Sequence, residues 1–306
     1  MNKDASIFVT GATGMVGSAI VRRLQKDGYQ NILTDRIDLR NQSAVNQYFE
    51  KKNPGYVFLV AGKVGGIKAN NLYKAEFIYD NLMIAANVID AARKYNSIKL
   101  LYAASSCIFP KESPQPIREE YLLSGKLEPT NKPYAVSKIA GIELCQSYNA
   151  QYGCNFISVM PTNSYGEGDK YDLHDSHVIP ALLRKVLTAK ENNHPTVEIW
   201  GSGLAKREFL YVDDMADAMV FLMNNYNSPE IINIGTGEEY TIKQLAELIK
   251  YIVKYDGDFV YTGELDGTPR KLLDSLKLYN MGWRPKTSLD EGLRKTISSI
   301  DKSKWV

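Results

Sequence analysis

Apolar residues in the first half of the chain fall into short runs that alternate with longer amphipathic segments. The short runs predict buried strands: "SIFVTG", "YQNILT", "GYVFLVA", "IKLLYAAS" and "NFISVMP". The longer segments, with apolar residues at helical spacing, predict helices: "MVGSAIVRRLQKDG", "NQSAVNQYFEKKN", "FIYDNLMIAANVIDAARKY" and "YAVSKIAGIELCQSYNAQYG". Strands and helices that alternate in this way predict an α/β fold with a doubly wound parallel sheet of the Rossmann type, covered by helices on both faces.

The second half of the chain changes in character after Asn163, where glycine, aspartate and proline become more frequent. We expect a smaller mixed α/β domain there. The segment "REFLYVDDMADAMVFLMNN" nevertheless has the pattern of one more strand and helix of the first domain. We therefore assign residues 1–164 and 208–232 to the first domain, and residues 165–207 and 233–306 to the second.

The composition excludes several classes of protein. The 306 residues are 44% hydrophobic and 24% charged, which is ordinary for a soluble globular protein. The net charge of +2 favours neither nucleic acid nor an anionic membrane as a partner. No signal sequence and no apolar run of membrane-spanning length is present. Three cysteines without paired spacing argue against a disulfide framework, so we expect a cytoplasmic protein.

The segment "TGATGMVG" lies between the first predicted strand and the first predicted helix. Gly11, Gly14 and Gly17 would let the backbone approach a pyrophosphate, and the start of the helix would supply free N–H groups. The same glycines are compatible with a tight turn that only brings helix and strand together, but at the first strand–helix unit they predict a dinucleotide site. At the end of the second strand, Asp35 favours NAD through a ribose hydroxyl and Arg36 favours NADP through a 2′-phosphate.

A second pattern is the pair Tyr134 and Lys138, which lie four residues apart on one face of a predicted helix. An ammonium beside a phenol favours the phenolate, so we expect Lys138 to lower the pKa of Tyr134. Ordinary amphipathic helices also contain this spacing. Ser105 ends an earlier parallel strand, and because ligands bind at the carboxyl ends of such strands, Ser105 and Tyr134 are expected to converge.

Cys107 follows the same strand, in "LLYAASSCIFP". Free cysteine is among the most buried residue types, so a structural role is one interpretation. A thiol placed for chemistry, just after Ser105 and Ser106, is the other. The remaining cysteines and two of the three histidines keep a structural interpretation: Cys145, Cys154, His174 and His194.

Longer strings favour the chemical interpretation. They are "AGKVGGIKANN", "SSCIFPK", "LEPTNKPYAVSKIAGIELCQSYN", "VMPTNSYG", "SHVIPALLRK", "WGSGLAKREFLYVDDMA" and "DGTPRKLLD". On these strings, which run over almost the whole length, the chain resembles the GDP-L-fucose synthase family of the extended short-chain dehydrogenases/reductases. The resemblance implies an enzyme that epimerises a GDP-4-keto-6-deoxy sugar at C3 and C5, and then reduces C4 by hydride transfer from NADPH.

The resemblance also implies a role for each site residue. Cys107 takes the proton beside the ketone, and His177 delivers one from the other face. Tyr134 protonates the C4 alkoxide, with help from Ser105 and Lys138. With the residues named above, the expected NADP(H) contacts are Gly11, Ala12, Thr13, Gly14, Met15, Val16, Gly17, Asp35, Arg36, Ala103, Ala104, Lys138, Pro161, Thr162, Asn163, Ser164 and His177. The expected GDP-sugar contacts are Ser106, Cys107, Asn163, Lys185, Trp200, Arg207 and Asp266. No metal is implied.

Two positions depart from the pattern of that family. The loop from Gly11 to Gly14 lacks the arginine that bacterial members commonly carry for the 2′-phosphate. Arg36 therefore has to distinguish NADPH from NADH, and we expect NADPH to be preferred. Lys185 stands where arginine is usual, which replaces a bidentate fork by a point charge.

Three alternatives stay open. The first is a reductase of C4 alone, acting on a GDP-4-keto-hexose or on a GDP-4-keto-heptose of a surface-polysaccharide pathway, with epimerisation carried out by another enzyme. The second is a sugar-nucleotide 4-epimerase that keeps its NAD bound, and the third is an NADP-binding sensor without catalysis. The superfamily also implies a homodimer with a four-helix interface, formed by helices from about Phe77 to Tyr95 and from Tyr134 to Tyr152.

Overall fold

The structure is a computed structural model, and it describes residues 1–172, 176–263 and 268–305. Within these ranges the strands are β1 (Ile7–Val9), β2 (Ile32–Leu33), β3 (Tyr56–Leu59), β4 (Lys99–Ala103), β5 (Phe156–Pro161), β6 (Asn163–Tyr165), β7 (Thr196–Ile199), β8 (Lys206–Arg207), β9 (Phe209–Tyr211), β10 (Ile232–Ile234), β11 (Tyr240–Thr241), β12 (Asp258–Tyr261) and β13 (Arg270–Lys271). The helices are α1 (Met15–Lys26), α2 (Gln42–Lys52), α3 (Ile67–Leu72), α4 (Lys74–Lys94), α5 (Lys132–Tyr152), α6 (Val178–Glu191), α7 (Val212–Asn225), α8 (Ile242–Val253), α9 (Leu276–Asn280) and α10 (Leu289–Ser298).

A parallel sheet forms the centre of the first part of the chain. Its strand order is β2-β1-β3-β4-β5-β10, and every neighbouring pair is parallel. The order reverses between β1 and β3, so the loops that leave these two strands diverge and open a crevice at the carboxyl edge. The prediction of a doubly wound parallel sheet is therefore confirmed.

Both faces of this sheet are buried, because side chains alternate along each strand. In β1, Ile7 and Val9 pack in the layer that contains α1 and α7, whereas Phe8 packs in the layer that contains α2, α4 and α5. Within these layers α1 lies against α7, and α4 lies against α5. Burial on both faces explains why the strands are apolar runs without polar alternation.

A separate apolar cluster forms the second part of the chain, around α6, α8 and α10. β7 pairs with β12, and β8 lies between β11 and β13. The segment 208–232 connects the two parts: β9 pairs with β6 outside the central sheet, α7 packs on α1, and the chain then enters β10, the outermost strand of the central sheet. The division into domains at these residues stays a prediction.

The observed elements differ from the predicted ones mainly at their ends. α5 begins at Lys132, two residues before Tyr134, and Pro133 fits its first turn because proline lacks only an N–H that would have no helical partner there. α3 is not predicted by the pattern, since six residues are too few to show a helical period. None of the helices in the described ranges is both long and apolar enough to cross a bilayer.

Candidate active site

The loop between β1 and α1 has the form of a phosphate cradle. Gly11 adopts a φ of +65°, and a Cβ there would lie 3.2 Å from the Cα of Ala61. A Cβ on Gly17 would overlap the carbonyl group of Gly11. Gly14 is the N-cap of α1 and has no side chain that could occupy the first N–H groups of the helix, which leaves them available to an anion. Ala12, Thr13, Met15 and Val16 complete the loop and the first turn.

Asp35 and Arg36, which follow β2 and favour different dinucleotides, have different surroundings. The Asp35 carboxylate accepts a hydrogen bond of 2.7 Å from the Tyr48 hydroxyl and lies 3.9 Å from Lys52 Nζ, so it is held against α2. Arg36 is exposed and, among the residues that the structure describes, has no hydrogen-bond or ion-pair partner. Of the two, the cation is therefore the side chain available to a ligand.

The carboxyl end of β4 carries the serine and the cysteine. After Ala103 and Ala104 the chain enters a short 3-10 helix, Ser106–Ile108, with Ser105 as its N-cap. The Ser105 Oγ accepts a hydrogen bond from the Cys107 N–H, at 3.2 Å. Ser106 is buried and Cys107 is half-buried. The cap therefore fixes the thiol just beyond the edge of the sheet.

The first turns of α5 bring Tyr134 and Lys138 to the same place. Lys138 Nζ donates a hydrogen bond of 2.9 Å to the Ala103 carbonyl, and burial lowers the Lys138 pKa to about 8. Tyr134 is buried, and its ring packs edge-on against Phe77 with centroids 6.2 Å apart. The strand end and the helix thus meet as predicted from their order in the chain.

The pKa of Tyr134 differs from the expected direction. Burial raises it, and the charge of Cys107 raises it further, against a hydrogen bond with the Ser105 side chain that lowers it. Lys138 does not reverse this, because its ammonium is bonded to the Ala103 carbonyl and lies 5.8 Å from the centre of the Tyr134 ring. The expected lowering of the Tyr134 pKa by Lys138 is therefore not found in this structure, where burial favours the neutral phenol, the form that can donate a proton.

Cys107 differs from the other two cysteines in its electrostatic environment. Burial raises the pKa of its thiol, but the positive charge of Lys271 and hydrogen bonds from Ser105 and Lys271 lower it by more, so that the pKa lies below its ordinary value. The Lys271 Nζ donates to the Cys107 Sγ at 3.3 Å. In contrast, burial raises the pKa of Cys145 to about 12 and also raises that of Cys154. Cys107 is therefore the thiol with enhanced thiolate character.

His177 stands at the N-cap of α6 and is affected by the same lysine. Burial lowers its pKa, and the charge of Lys271 lowers it further. Because Lys271 acts on both Cys107 and His177, these side chains share one electrostatic environment although they come from distant parts of the chain. His174, in the same segment as His177, lies outside the described residues.

Lys271 and a buried glutamate are site residues that the sequence pattern did not reveal. Lys271 lies in the string "DGTPRKLLD", but nothing local marks it as a partner of the thiol. It stands directly opposite Arg207 in the parallel pair of β13 and β8. The charge of Arg207 also lowers the pKa of Cys107. Both cations therefore act on the charge of the thiol from the second part of the chain.

Glu208 holds these strands in place. Its Oε1 accepts hydrogen bonds from the backbone N–H groups of Thr236 and Gly237 at 2.7 and 2.9 Å, and its Oε2 accepts from Leu273 N–H at 3.2 Å. The carboxylate thus joins β8 to the segments that follow β10 and β13. A fully buried acid is costly unless it is hydrogen-bonded, which indicates a specific positioning role.

The residues after β5 pack against the same glutamate. The hydroxyl of Thr162 and the amide of Asn163 both donate to the Glu208 carbonyl, at 3.4 and 2.8 Å. Pro161 ends β5, and Ser164 lies in β6. These residues are therefore at the junction of the two parts of the chain, beside the crevice.

The predicted nucleotide-sugar contacts fall into two groups. Lys185 and Trp200 lie together: Lys185 Nζ is 4.5 Å from the centre of the Trp200 ring, and Trp200 Nε1 donates to Glu198 Oε1 at 3.0 Å. Arg207 is instead close enough to Cys107 to act on its pKa. Asp266 lies outside the described residues.

The chain is similar to known proteins over most of its length. The model of the NAD dependent epimerase/dehydratase family matches residues 7–235. "Putative GDP-L-fucose synthase 2" of Arabidopsis thaliana is 53% identical over 97% of this chain and 92% of its own length. The chain belongs to the GDP-L-fucose synthase family, within the NAD dependent epimerase/dehydratases.

Two further members of this group extend the comparison. The GDP-L-fucose synthase of Sinorhizobium fredii is 52% identical over 96% of this chain and 95% of its own. Among solved structures, a GDP-mannoheptose C4 reductase from Campylobacter jejuni with NADP bound has a TM-score of 0.90, with 37% identity over 98% of this chain and 99% of its own. The GDP-L-fucose synthase family and its heptose-reducing neighbours therefore share the fold of this protein over nearly its whole length.

Proposed function

We propose that this protein is an NADPH-dependent GDP-4-keto-sugar 3,5-epimerase/4-reductase that makes GDP-L-fucose or a close analogue. The proposal depends on the convergence of two proton-transfer sets at the carboxyl end of β4. One set is the Cys107 thiol with Lys271 at 3.3 Å, and the other is the Tyr134 phenol with Ser105 and Lys138. The relatives named GDP-L-fucose synthase support the substrate class.

The coenzyme would be held by the loop between β1 and α1 and by Arg36. The loop fits a pyrophosphate because Gly11 and Gly17 leave no Cβ in the way and the first N–H groups of α1 have no side-chain cap. Asp35, engaged with Tyr48, leaves Arg36 to meet a 2′-phosphate. When bound, NADPH supplies the hydride for C4. The NADP-bound neighbour from Campylobacter supports this choice of coenzyme.

In the epimerisations, the Cys107 thiolate removes a proton from the carbon next to the ketone. The electron pair of that C–H bond moves into an enolate whose negative charge lies on the C4 oxygen, and His177 donates a proton to the opposite face of the carbon. Lys271 outweighs the effect of burial and lowers the Cys107 pKa, so a larger fraction of this thiol is ionised at a given pH than of an ordinary thiol. The same charge makes a protonated His177 a stronger acid.

In the reduction, the neutral Tyr134 phenol gives its proton to the alkoxide that forms at C4. Burial raises the pKa of the phenol, which therefore stays protonated until the alkoxide forms. The Ser105 side chain, hydrogen-bonded to Tyr134, orients the donor. Lys138, anchored on the Ala103 carbonyl beside Tyr134, provides a cation that compensates the developing phenolate.

The decisive experiment is proton NMR of the wild-type reaction in D₂O with GDP-4-keto-6-deoxymannose, with and without NADPH. The expected result is solvent deuterium at C3 and C5 without NADPH, and a reduced product with it. The same reaction with the heptose analogue, run in parallel, shows whether the enzyme prefers a hexose or a heptose. Oxidation of NADPH without exchange at either carbon would exclude the epimerase half and leave a C4 reductase, the alternative favoured by the Campylobacter neighbour.

The protein is also proposed to be a cytoplasmic homodimer, joined through α4 and α5, and to supply a sugar for surface polysaccharides. α4 and α5 pack side by side, and their outer surfaces carry the exposed apolar side chains of Tyr79, Val136 and Tyr152. A second copy that covered these helices would remove the three apolar side chains from water. Light scattering at micromolar concentration should give the mass of a dimer, and a monomer would contradict the proposal.

A further inference from the structure

Lys68 is not among the substrate contacts expected from the sequence. It belongs to the short helix α3, which follows the loop after β3 on the coenzyme side of the crevice. Its ammonium is 3.8 Å from the centre of the Trp200 ring, and Trp200 comes directly after β7 in the second part of the chain. The contact therefore bridges the two sides of the crevice.

Trp200 receives a second cation on the same indole. Lys185 Nζ is 4.5 Å from the ring centre and donates a hydrogen bond of 2.9 Å to the Glu198 carbonyl. The Glu198 carboxylate accepts from Trp200 Nε1, which fixes the orientation of the ring. Two ammonium groups thus share one indole, and the charge of Lys68 is one of the causes that lower the pKa of Lys185.

Among the described residues, one carboxylate, that of Glu198, lies beside the two ammonium groups of this cluster. In the part of the chain that the structure describes, Lys68 has no hydrogen-bond or ion-pair partner, and the acid beside the indole is Glu198. Attraction to an aromatic face is weak at an exposed site compared with a charge-assisted hydrogen bond. An anion that enters the cluster can therefore draw Lys68 from the ring to itself.

We propose that Lys68 is a diphosphate-binding residue of the nucleotide-sugar site, which contacts the substrate from the coenzyme side while Lys185 contacts it from the other. The inference rests on the proposed function, since it takes a GDP-sugar as the ligand. A diphosphate suits the cluster because it presents oxygens in several directions to two separate point charges. In this arrangement substrate binding joins the two parts of the chain through Lys68, Trp200 and Lys185.

The test is titration calorimetry of the full-length protein with GDP and, separately, with guanosine. Lys68→Met keeps most of the length of the side chain and removes its charge, and Lys68→Arg restores a cation. We expect Lys68→Met to weaken GDP binding about ten-fold, the size of one lost charge-assisted hydrogen bond, and to change guanosine binding less than about two-fold. Lys68→Arg should bind GDP nearly as the wild type does. The matched control is Lys74→Met, which removes an exposed lysine at the start of α4.

The outcomes separate this inference from the proposed function. A wild-type protein that binds no GDP would overturn the proposed function. Wild-type binding of GDP together with an unchanged affinity of Lys68→Met would overturn the role of Lys68 alone. Equal losses for GDP and guanosine would also overturn it, because they would mean that Lys68 only supports the indole. Steady-state kinetics give a second readout: the KM for the GDP-sugar should rise in Lys68→Met while the KM for NADPH stays unchanged.

Discussion

The two sides of the candidate active site are built in different ways. On the side of the central sheet, Ser105 and Cys107 follow one strand and Tyr134 and Lys138 share one helix, so short stretches of chain place the reacting groups. On the other side, Arg207 and Lys271 come from short strands, and the buried carboxylate of Glu208, between β8 and β9, joins these strands to their neighbours. The first side carries Cys107 and Tyr134, and the second adds His177 and the cations that set the charge around them. Substitutions on the two sides should therefore have different signatures.

Tyr134→Phe should have the largest effect, because it removes the proton donor of the reduction. NADPH oxidation is expected to fall about a hundred-fold or more, since general acid catalysis contributes at least that much. Deuterium exchange at C3 and C5, measured by NMR in D₂O, should continue. The control is NADPH binding, followed by its fluorescence, which should be unaltered. If exchange disappears together with reduction, the two proton-transfer sets are not separable.

Cys107→Ser tests the other reacting group on the same side. Serine keeps the size of the side chain but has a much higher pKa, so exchange at C3 and C5 should fall by about a hundred-fold while NADPH still binds. Cys154→Ser, at a half-buried cysteine whose pKa is raised by burial, is the matched control and should leave exchange intact. Full exchange in Cys107→Ser would return Cys107 to a structural role.

Lys271→Met tests the second side of the site without replacing a reacting group. The wild-type thiol has a lowered pKa, so exchange should rise with pH and reach half its maximum at a lower pH than an ordinary thiol would give. Removing Lys271 removes the charge that lowers this pKa, so the profile should move to higher pH. Exchange at pH 7 should then fall on the order of ten-fold, because less of the thiol is ionised there. It should recover as the pH is raised.

An alkylation assay and a control variant test the same prediction independently. The rate at which iodoacetamide alkylates Cys107, followed by mass spectrometry against pH, should change in the same direction and does not depend on turnover. Lys206→Met is the matched control, because Lys206 lies next to Arg207 but pairs with Glu239 instead. An identical pH profile in wild type and Lys271→Met would mean that Lys271 does not set the charge of the thiol.

Arg36→Ala should have the smallest effect, and it concerns the coenzyme alone. The KM for NADPH is expected to rise several-fold to about ten-fold, as for loss of one ionic hydrogen bond, whereas the KM for NADH should not change. Lys51→Ala, at an exposed lysine of the nearby helix α2, is the control. A wild-type kcat/KM for NADH equal to or above that for NADPH would contradict the assignment of Arg36.

The sequence by itself determined five of the six strands of the central sheet and the positions of most reacting groups, but not the edge strand β10. Two-sided burial of parallel strands leaves apolar runs, and the requirement for glycine at Gly11 and Gly17 is local, so both are visible in the order of residues. Ser105, Cys107, Tyr134 and Lys138 each lie at a strand end or on one helix face. The pattern therefore predicted that Ser105 and Tyr134 would converge.

Only the tertiary structure decided the charges that these groups experience. Lys271 meets Cys107 across 164 residues of sequence, and Tyr48 engages Asp35 from a different element. The pKa of Tyr134 was predicted in the wrong direction, because burial depends on everything that packs around a side chain and not on its spacing from a lysine. Electrostatic energies depend on distance in space and on the surrounding dielectric, and neither quantity is contained in the local order of residues.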